Sequence, residues 1–292
     1  MKVNDMNGII EEMLSQHNHK TLADKKNSIK EIVQEIILCG LSRSGFFKEA
    51  AFYGGTALRI FYGLDRFSED LDFSLISPDP NYSLEKYLPF LERELGSYGF
   101  KFEIEMKHKN LDSGVQSAFV KGNTREHILI CYSDRNLAKT VIGNEMIKIK
   151  FEIDTLPPPY AGYDIKYKLL PIPYEIRLYD MPSLFAGKLH AVICRAWKNR
   201  VKGRDLYDYL FYMARGTTIN LKHLNARLVD SGFEGAREDL TLDEIKRILE
   251  RRFISIDYQQ AKEDVLPFIQ NPESLRIWSK EFFLSTIDSL KS

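Results

Sequence analysis

The sequence predicts an α+β protein, in which a β-sheet with flanking helices is followed by a C-terminal helical bundle. Short alternating segments between residues 101 and 154 are typical of strands, whereas the segments from residue 183 onward have the apolar spacing of helices. Prolines at 157–159, 171 and 173 separate the two regions. We therefore expect an α/β domain at 1–160 and a helical domain at 161–292.

The first domain is expected to contain a helix at 22–41, because its aliphatic residues fall on one helical stripe. These residues are Ile29, Ile32, Val33, Ile36 and Ile37. After two glycines, a second helix is expected to begin at 57–61. A short strand at 71–76 and a helix at 83–95 follow in the chain.

Strands are then expected at 101–107, 117–121, 127–132 and 145–154. The last of them alternates strictly, so its apolar residues form one face and its charged residues the other. The charged face carries Lys148, Lys150, Glu152 and Asp154. In the second domain, helices are expected at 183–199, 203–215, 219–230, 241–252, 257–266 and 272–288.

Composition narrows the class of protein. The 292 residues include 41 basic and 41 acidic side chains, so no overall charge attracts nucleic acid and any such binding needs a local patch. Three scattered cysteines are typical of reduced thiols, and no signal core or membrane-spanning run is present, so a cytoplasmic protein without membrane contact is expected. The P-loop, Gly-x-Gly-x-x-Gly, His-Glu-x-x-His and Cys-x-x-Cys motifs are absent from the sequence.

The segment 54–73 carries the clearest chemical signal. It begins with Gly54, Gly55 and Thr56, whose backbone can approach a phosphate closely. It ends with Asp70 and Asp72, which share one face of the expected strand with Cα atoms roughly 6.5–7 Å apart. Two adjacent carboxylates suit Mg²⁺, with Mn²⁺ as the alternative ion, because substrate phosphates can complete the coordination shell. Each motif alone is weak, but together they predict a phosphate and metal site.

A third carboxylate beside this pair would suit metal-assisted phosphoryl transfer. Glu152 and Asp154 are both candidates, because they lie on the charged face of the last strand. The alternative interpretation is that these acids and the neighbouring lysines form a solvated face with ion pairs between strands.

The second domain offers further charged candidates. Lys188 lies in an apolar helical pattern and either contacts a triphosphate or reaches the surface as an ordinary lysine. A basic stretch with one tryptophan follows, and it suits RNA or nucleotide phosphates or simply forms a solvated face. It comprises Arg195, Trp197, Lys198, Arg200, Lys202 and Arg204. Asp205 and Asp208 come next, one helical turn apart.

Lys246, Arg247, Arg251 and Arg252 form a second basic group, for which a solvated surface is favoured over RNA contact.

These motifs resemble those of the AbiEii/AbiGii (MenT-like) nucleotidyltransferase toxins, in the DNA polymerase beta-like nucleotidyltransferase superfamily. The resemblance is carried by Gly54–Thr56, Arg66–Phe73, the helix around Lys188 and the run from Arg204 to Asp208. It implies a nucleotidyltransferase-type mixed β-sheet and a helical domain that contributes to the active-site cleft. The implied catalytic residues are Asp70, Asp72, Glu152, Asp154, Lys188 and Asp205, with Asp70 and Asp72 binding metal. The implied nucleotide-binding residues are Gly54, Gly55, Thr56, Arg66, Ser68, Lys188 and Arg204.

The resemblance also implies a function. We expect magnesium-dependent transfer of NMP from an NTP to an acceptor hydroxyl, with pyrophosphate released. The acceptor is either RNA, such as the 3′ end of a tRNA, or a protein. The protein would be the toxin of a type IV-like toxin–antitoxin or abortive-infection system, with a cognate antitoxin as partner. The alternative is a non-catalytic nucleotide- or partner-binding module of the same fold.

Overall fold

A computed structural model describes residues 3–17, 20–107, 114–195 and 201–292. Its helices are α1 Val3–Ser15, α2 Leu22–Arg43, α3 Gly54–Tyr62, α4 Leu88–Ser97, α5 Thr124–Tyr132, α6 Arg135–Thr140, α7 Met181–Cys194, α8 Gly203–Ala214, α9 Leu221–Asp230, α10 Leu242–Ile254, α11 Tyr258–Val265 and α12 Lys280–Thr286. Its strands are β1 Ala50–Tyr53, β2 Leu71–Leu75, β3 Glu103–Lys107, β4 Val115–Asn123, β5 Met146–Asp154, β6 Tyr163–Lys168 and β7 Tyr174–Tyr179. The α+β prediction is confirmed.

The strands form one mixed seven-stranded sheet in the order β3-β4-β5-β2-β1-β7-β6. β4 pairs antiparallel with β3 and β5, whereas β2 runs parallel to β5 and β1 runs parallel to β7. β2 and β5 are therefore neighbours although about eighty residues separate them in the chain. This pairing brings the Asp-x-Asp segment beside the charged face of β5.

The chain divides into two compact units that are discontinuous in sequence. The first comprises Met1–Phe52, Glu69–Pro157 and Ile165–Leu178, and the second comprises Tyr53–Ser68, Pro158–Asp164 and Tyr179–Ser292. The expected domains at 1–160 and 161–292 were each continuous. In the structure, each unit instead contains segments from both sides of residue 160.

An aromatic cluster fixes the centre of the first unit. Phe73 of β2 stacks on Phe151 of β5 with ring centroids 4.6 Å apart, and Phe46 meets Phe73 edge-on at 5.0 Å. The Ile and Val stripe of α2 is also fully buried, as its spacing predicts. Burial of Phe73 and Phe151 on one face of the strands turns Asp72 and Glu152 to the opposite face.

The second unit is built around its own aromatic core. Phe185 of α7 stacks on Tyr212 of α8 at 4.6 Å, and Tyr209 packs against Phe253 of α10 at 5.3 Å. At Gly203, an added Cβ would lie 1.8 Å from the carbonyl oxygen of Ala261 on α11. The close approach of α8 and α11 therefore requires glycine at this position.

Three expectations about local structure are wrong. The single helix expected at 272–288 is interrupted, and only Lys280–Thr286 is α-helical in that segment. The segment 127–132 is part of helix α5 rather than a strand, because Asn123 accepts hydrogen bonds from Arg125 N and Glu126 N and so caps a helix. The segment around the prolines, which was expected to separate the two regions, contains strand β6 and leads directly into strand β7. Among the described helices, none is both long and apolar enough to cross a bilayer.

Candidate functional site

The acidic face of the first unit is formed by β2 and β5. Asp70 directly precedes β2 and Asp72 lies within it, and the parallel register pairs Asp72 with Glu152 and Ser74 with Asp154. Partners in register point to the same face, and adjacent strands lie about 4.8 Å apart. Asp70 is exposed, and the other three carboxylates are partly exposed. Of the two candidates for a third carboxylate, Glu152 is the one directly beside Asp72.

The two candidates differ in their hydrogen bonds. Glu152 accepts a hydrogen bond from Ser117 Oγ at 2.9 Å and forms an ion pair with Lys150 at 2.6 Å. Asp154 accepts a hydrogen bond from the backbone N–H of Leu156 at 3.0 Å, which closes the turn after β5. Glu152 therefore takes part in an ion pair within β5, not in the pair between strands that the alternative interpretation expected, whereas Asp154 supports a turn.

The donor chemistry of this face fits a divalent cation. Asp70 and Asp72 are hard oxygen ligands on one side of the strand, and Mg²⁺ typically takes one or two carboxylates together with substrate phosphates. Within the described parts of the chain, no three His, Cys, Asp or Glu side chains are grouped as a metal site.

The glycine segment lies in the second unit. β1 ends at Tyr53 and α3 starts at Gly54, whose φ of +86° is in the left-handed region that favours glycine. A Cβ on Gly55 would lie 2.6 Å from Arg66 Nη2 and 3.0 Å from Ser68 Oγ. The buried Thr56 donates its hydroxyl to Ser68 Oγ at 2.9 Å. Four residues expected to bind nucleotide therefore lie together with Gly54 at the start of α3.

A charge network continues from Arg66. Its Nε and Nη2 donate to the two carboxylate oxygens of Asp208, both at 2.6 Å, and its Nη1 donates to the Phe67 carbonyl at 2.8 Å. Lys188 Nζ lies 2.8 Å from Asp208 Oδ2 and 2.8 Å from Asp205 Oδ1. Arg195 Nη1 binds the other oxygen of Asp205 at 2.6 Å. Three cations thus share two aspartates.

Burial of this network sets its electrostatics. The side chain of Asp208 is 0% exposed and that of Lys188 is 14% exposed. Burial alone would raise the pKa of Asp208, but Arg66 and Lys188 outweigh it and hold the pKa below its ordinary value. Burial alone would lower the pKa of Lys188, but Asp205 and Asp208 hold it above its ordinary value. Lys188 is therefore a permanent positive charge.

The structure adds contacts for Asp208 and Arg204 that the sequence interpretation did not include. Asp208 contacts both Lys188 and Arg66, and the sequence interpretation missed the pair with Arg66. The Arg204 guanidinium lies over the Phe268 ring, 4.2 Å from its centroid. Trp197, Lys198 and Arg200 of the basic stretch lie outside the described residues. The one available signal for the network was the pair of acids spaced one turn apart on α8.

Comparison with known proteins finds a matching family and similar solved structures. The family model described as nucleotidyl transferase AbiEii toxin, type IV TA system, matches residues 36–285. The chain is similar to the structure of JHP933 from Helicobacter pylori, with 19% identity, coverage of 89% of each chain and a TM-score of 0.49. It is also similar to MenT4, a nucleotidyltransferase toxin from Mycobacterium tuberculosis H37Rv, with 14% identity, coverage of 98% of this chain and 99% of that one, and a TM-score of 0.47. No curated protein matches the sequence.

Proposed function

The chain belongs to the AbiEii nucleotidyltransferase toxin family and is a nucleotidyltransferase, and we propose that it transfers NMP from an NTP to an acceptor hydroxyl. The acceptor oxygen would attack the α-phosphorus, and the bond to the β-phosphate oxygen would break to release pyrophosphate. The observation that carries this proposal is the parallel register that sets Asp72 beside Glu152, with Asp70 directly before β2.

The acidic face would hold the metal. Asp70 and Asp72 would bind Mg²⁺, with Mn²⁺ as the alternative, and the bound ion would supply positive charge against the phosphates. Glu152 is the proposed third carboxylate, because it lies beside Asp72 and its hydrogen bond from Ser117 fixes its orientation. Asp154 is the weaker candidate, because it already closes the turn at Leu156.

The start of α3 would bind the triphosphate. Gly54 and Gly55 begin this helix, and within the described residues no side chain caps its first backbone N–H groups, which suits an anion. Thr56 and Ser68 would present hydroxyl groups beside this turn. Arg66, held by Asp208, contributes a fixed positive charge next to Gly55.

Lys188 and Asp205 would act together on the leaving group. Lys188 keeps its charge at all physiological pH values, so it would neutralise negative charge that develops on pyrophosphate. Asp205 would position Lys188 through their 2.8 Å contact. Arg204, on the first turn of α8, is a further candidate for phosphate binding.

The biological setting follows from the family. Members are described as toxins of a type IV toxin–antitoxin system, so we propose that the activity arrests growth and that a cognate antitoxin opposes it. The proposed acceptor is RNA, with the 3′ end of a tRNA as the specific candidate, and a protein hydroxyl is the competing one.

The test is transfer of label from each of the four α-³²P-labelled NTPs to total RNA or total protein in the presence of Mg²⁺. We expect Asp70→Asn and Asp72→Asn to lower transfer at least about 100-fold, because each removes a ligand of the metal ion whose positive charge would stabilise the transition state. Glu152→Gln should have a comparable effect, and Asp154→Asn a much smaller one. Glu92→Gln, which neutralises an exposed carboxylate on α4 of the same unit, is the matched control. Transfer that persists in Asp70→Asn and Asp72→Asn would contradict the proposal.

A further inference from the structure

An arginine-lined groove lies in the second unit, and it includes Arg247, Arg251 and Arg252 of the second basic group. It has a volume of about 500 Å³ and is formed mainly by α10 and the segment before it. Four arginines line it against two glutamates, which leaves a surplus of two positive charges. The charged residues are Arg237, Arg247, Arg251, Arg252, Glu234 and Glu244. Apolar side chains, including Phe233 and Ile248, form part of its wall.

Two of the arginines have fixed positions within the protein. Arg237 forms ion pairs with Asp239, at 2.8 Å, and with Glu244. Arg252 donates from Nε to the Val192 carbonyl oxygen at 2.8 Å and from Nη2 to the Arg195 carbonyl oxygen. These contacts hold one side of the groove against the carboxyl end of α7.

The other two arginines face the groove without such contacts. Arg247 and Arg251 are exposed and lie four residues apart, so they share one face of α10. No hydrogen bond or ion pair engages either guanidinium within residues 20–107, 114–195 and 201–292. Each presents the planar set of donors that binds phosphate oxygens in pairs.

The groove is connected to the charge network. Arg252 binds the carbonyl of Arg195, and the Arg195 side chain, which is 45% exposed, binds Asp205. Asp205 in turn holds Lys188. Positive side chains therefore run from Lys188 through Arg195 and Arg252 to the two exposed arginines of α10.

We propose that this groove binds the phosphate backbone of a single-stranded RNA acceptor. Arg247 and Arg251 would contact consecutive phosphates, and Phe233 would offer a ring on which a base can stack. RNA is favoured over an acidic protein segment because an aromatic side chain among arginines matches a base beside a phosphate. The proposal rests on the proposed function, since it names the class of acceptor that is delivered to the transferase.

The test measures RNA binding without catalysis. A fluorescein-labelled 20-nucleotide single-stranded RNA is titrated with the full chain in EDTA and without NTP, and its anisotropy is followed from 50 to 200 mM salt. In the variant Arg247→Gln/Arg251→Gln, loss of two phosphate contacts should lower the slope of log affinity against log salt by about 1.4. Over that range, wild-type affinity should therefore fall about sevenfold more than that of the variant.

The matched control is Arg276→Gln/Lys280→Gln, which removes the same charge from exposed positions of the same unit. It should bind RNA as the wild type does, and Arg247→Lys/Arg251→Lys should retain most of the affinity. Groove and control variants that weaken binding equally would overturn the proposal. The proposal would also be overturned if Arg247→Gln/Arg251→Gln bound RNA as tightly as the wild type, or if the wild type did not bind RNA at all. It would equally be overturned if polyglutamate displaced the labelled RNA as well as unlabelled RNA does.

The same proteins separate this inference from the proposed function. If the groove binds RNA but no labelled NMP is transferred, the groove stands and the transferase proposal fails. If NMP is transferred to protein while RNA does not bind, the transferase proposal stands and the groove proposal fails.

Discussion

Replacement of Arg66 by glutamine should strongly destabilise the second unit. Arg66 is 3% exposed, and it is the residue that meets both oxygens of the fully buried Asp208, at 2.6 Å each. Removal of one partner from a buried ion pair costs about 3–5 kcal/mol, because the remaining charge stays buried without compensation. Lys188 still lies 2.8 Å from Asp208 but is shared with Asp205. We therefore expect Arg66→Gln to lower the free energy of unfolding by about 3 kcal/mol, at the lower end of that range.

Urea denaturation followed by far-UV circular dichroism measures this loss as a change in the free energy of unfolding. The matched control is Arg276→Gln, which breaks an exposed ion pair with Glu273 and should cost less than about 1 kcal/mol. The double variant Arg66→Met/Asp208→Leu should be more stable than the sum of its single variants predicts, since neither buried charge is then left alone. Equal, small losses for Arg66→Gln and Arg276→Gln would refute the reasoning.

The stability difference between the wild type and Arg66→Gln should depend on pH in a predictable direction. The folded-state pKa of Asp208 lies below its ordinary value, because Arg66 and Lys188 outweigh the effect of burial. Its contribution to stability is therefore present above the unfolded pKa of about 3.9 and is lost as the pH falls through the folded value. The stability difference between wild type and Arg66→Gln should accordingly narrow as the pH is lowered from 7 toward 3.

Two further predictions concern stability. Burial lowers the pKa of His223 to about 4, against about 6.5 when unfolded, so the stability it contributes above pH 6.5 is lost as the pH falls toward 4. Urea denaturation should show the wild type losing about 2 kcal/mol more than His223→Phe between pH 7.5 and pH 5, and equal losses would contradict this assignment. Gly203→Ala should cost about 3 kcal/mol, because its Cβ would meet the Ala261 carbonyl, whereas Gly96→Ala should stabilise by about 0.5–1 kcal/mol, because its Cβ meets nothing within 4 Å. Thermal melts that rank these two variants in the opposite order would refute the steric argument.

Sequence periodicity predicted the structure correctly where a helix or strand could be recognised from its own residues alone. The charged and apolar faces of β5 follow from its strict alternation, and the amphipathic spacing of α8 to α11 predicted those helices closely. It failed at α5, where His127, Ile128 and Cys131 are buried at helical spacing but were interpreted as part of a strand. It also failed at β6 and β7, because the prolines were taken as the boundary between the two regions although Pro171 and Pro173 lie between these two strands.

The candidate site was predictable only within short segments. The shared face of Asp70 and Asp72 follows from their spacing of two residues. The position of Glu152 beside Asp72 depends on the pairing of two strands about eighty residues apart, which no local pattern specifies. The bidentate pair of Arg66 and Asp208 spans 142 residues of sequence, so only the folded chain reveals it.

The network argues against one of the two interpretations of Lys188, that of an ordinary surface lysine, and its contact with a triphosphate stays a prediction. An ordinary surface lysine would extend into solvent, but this side chain is held by two carboxylates, and its pKa lies above the ordinary value despite burial. A group that stays protonated cannot accept a proton, so its chemical use is limited to fixed positive charge. Within the described residues, Arg66, Lys188 and Arg195 form ion pairs with Asp205 and Asp208, so three positive charges meet two carboxylates and one positive charge is in surplus. Such a network is satisfied without a ligand and still favours an anion, as a site for a triphosphate requires.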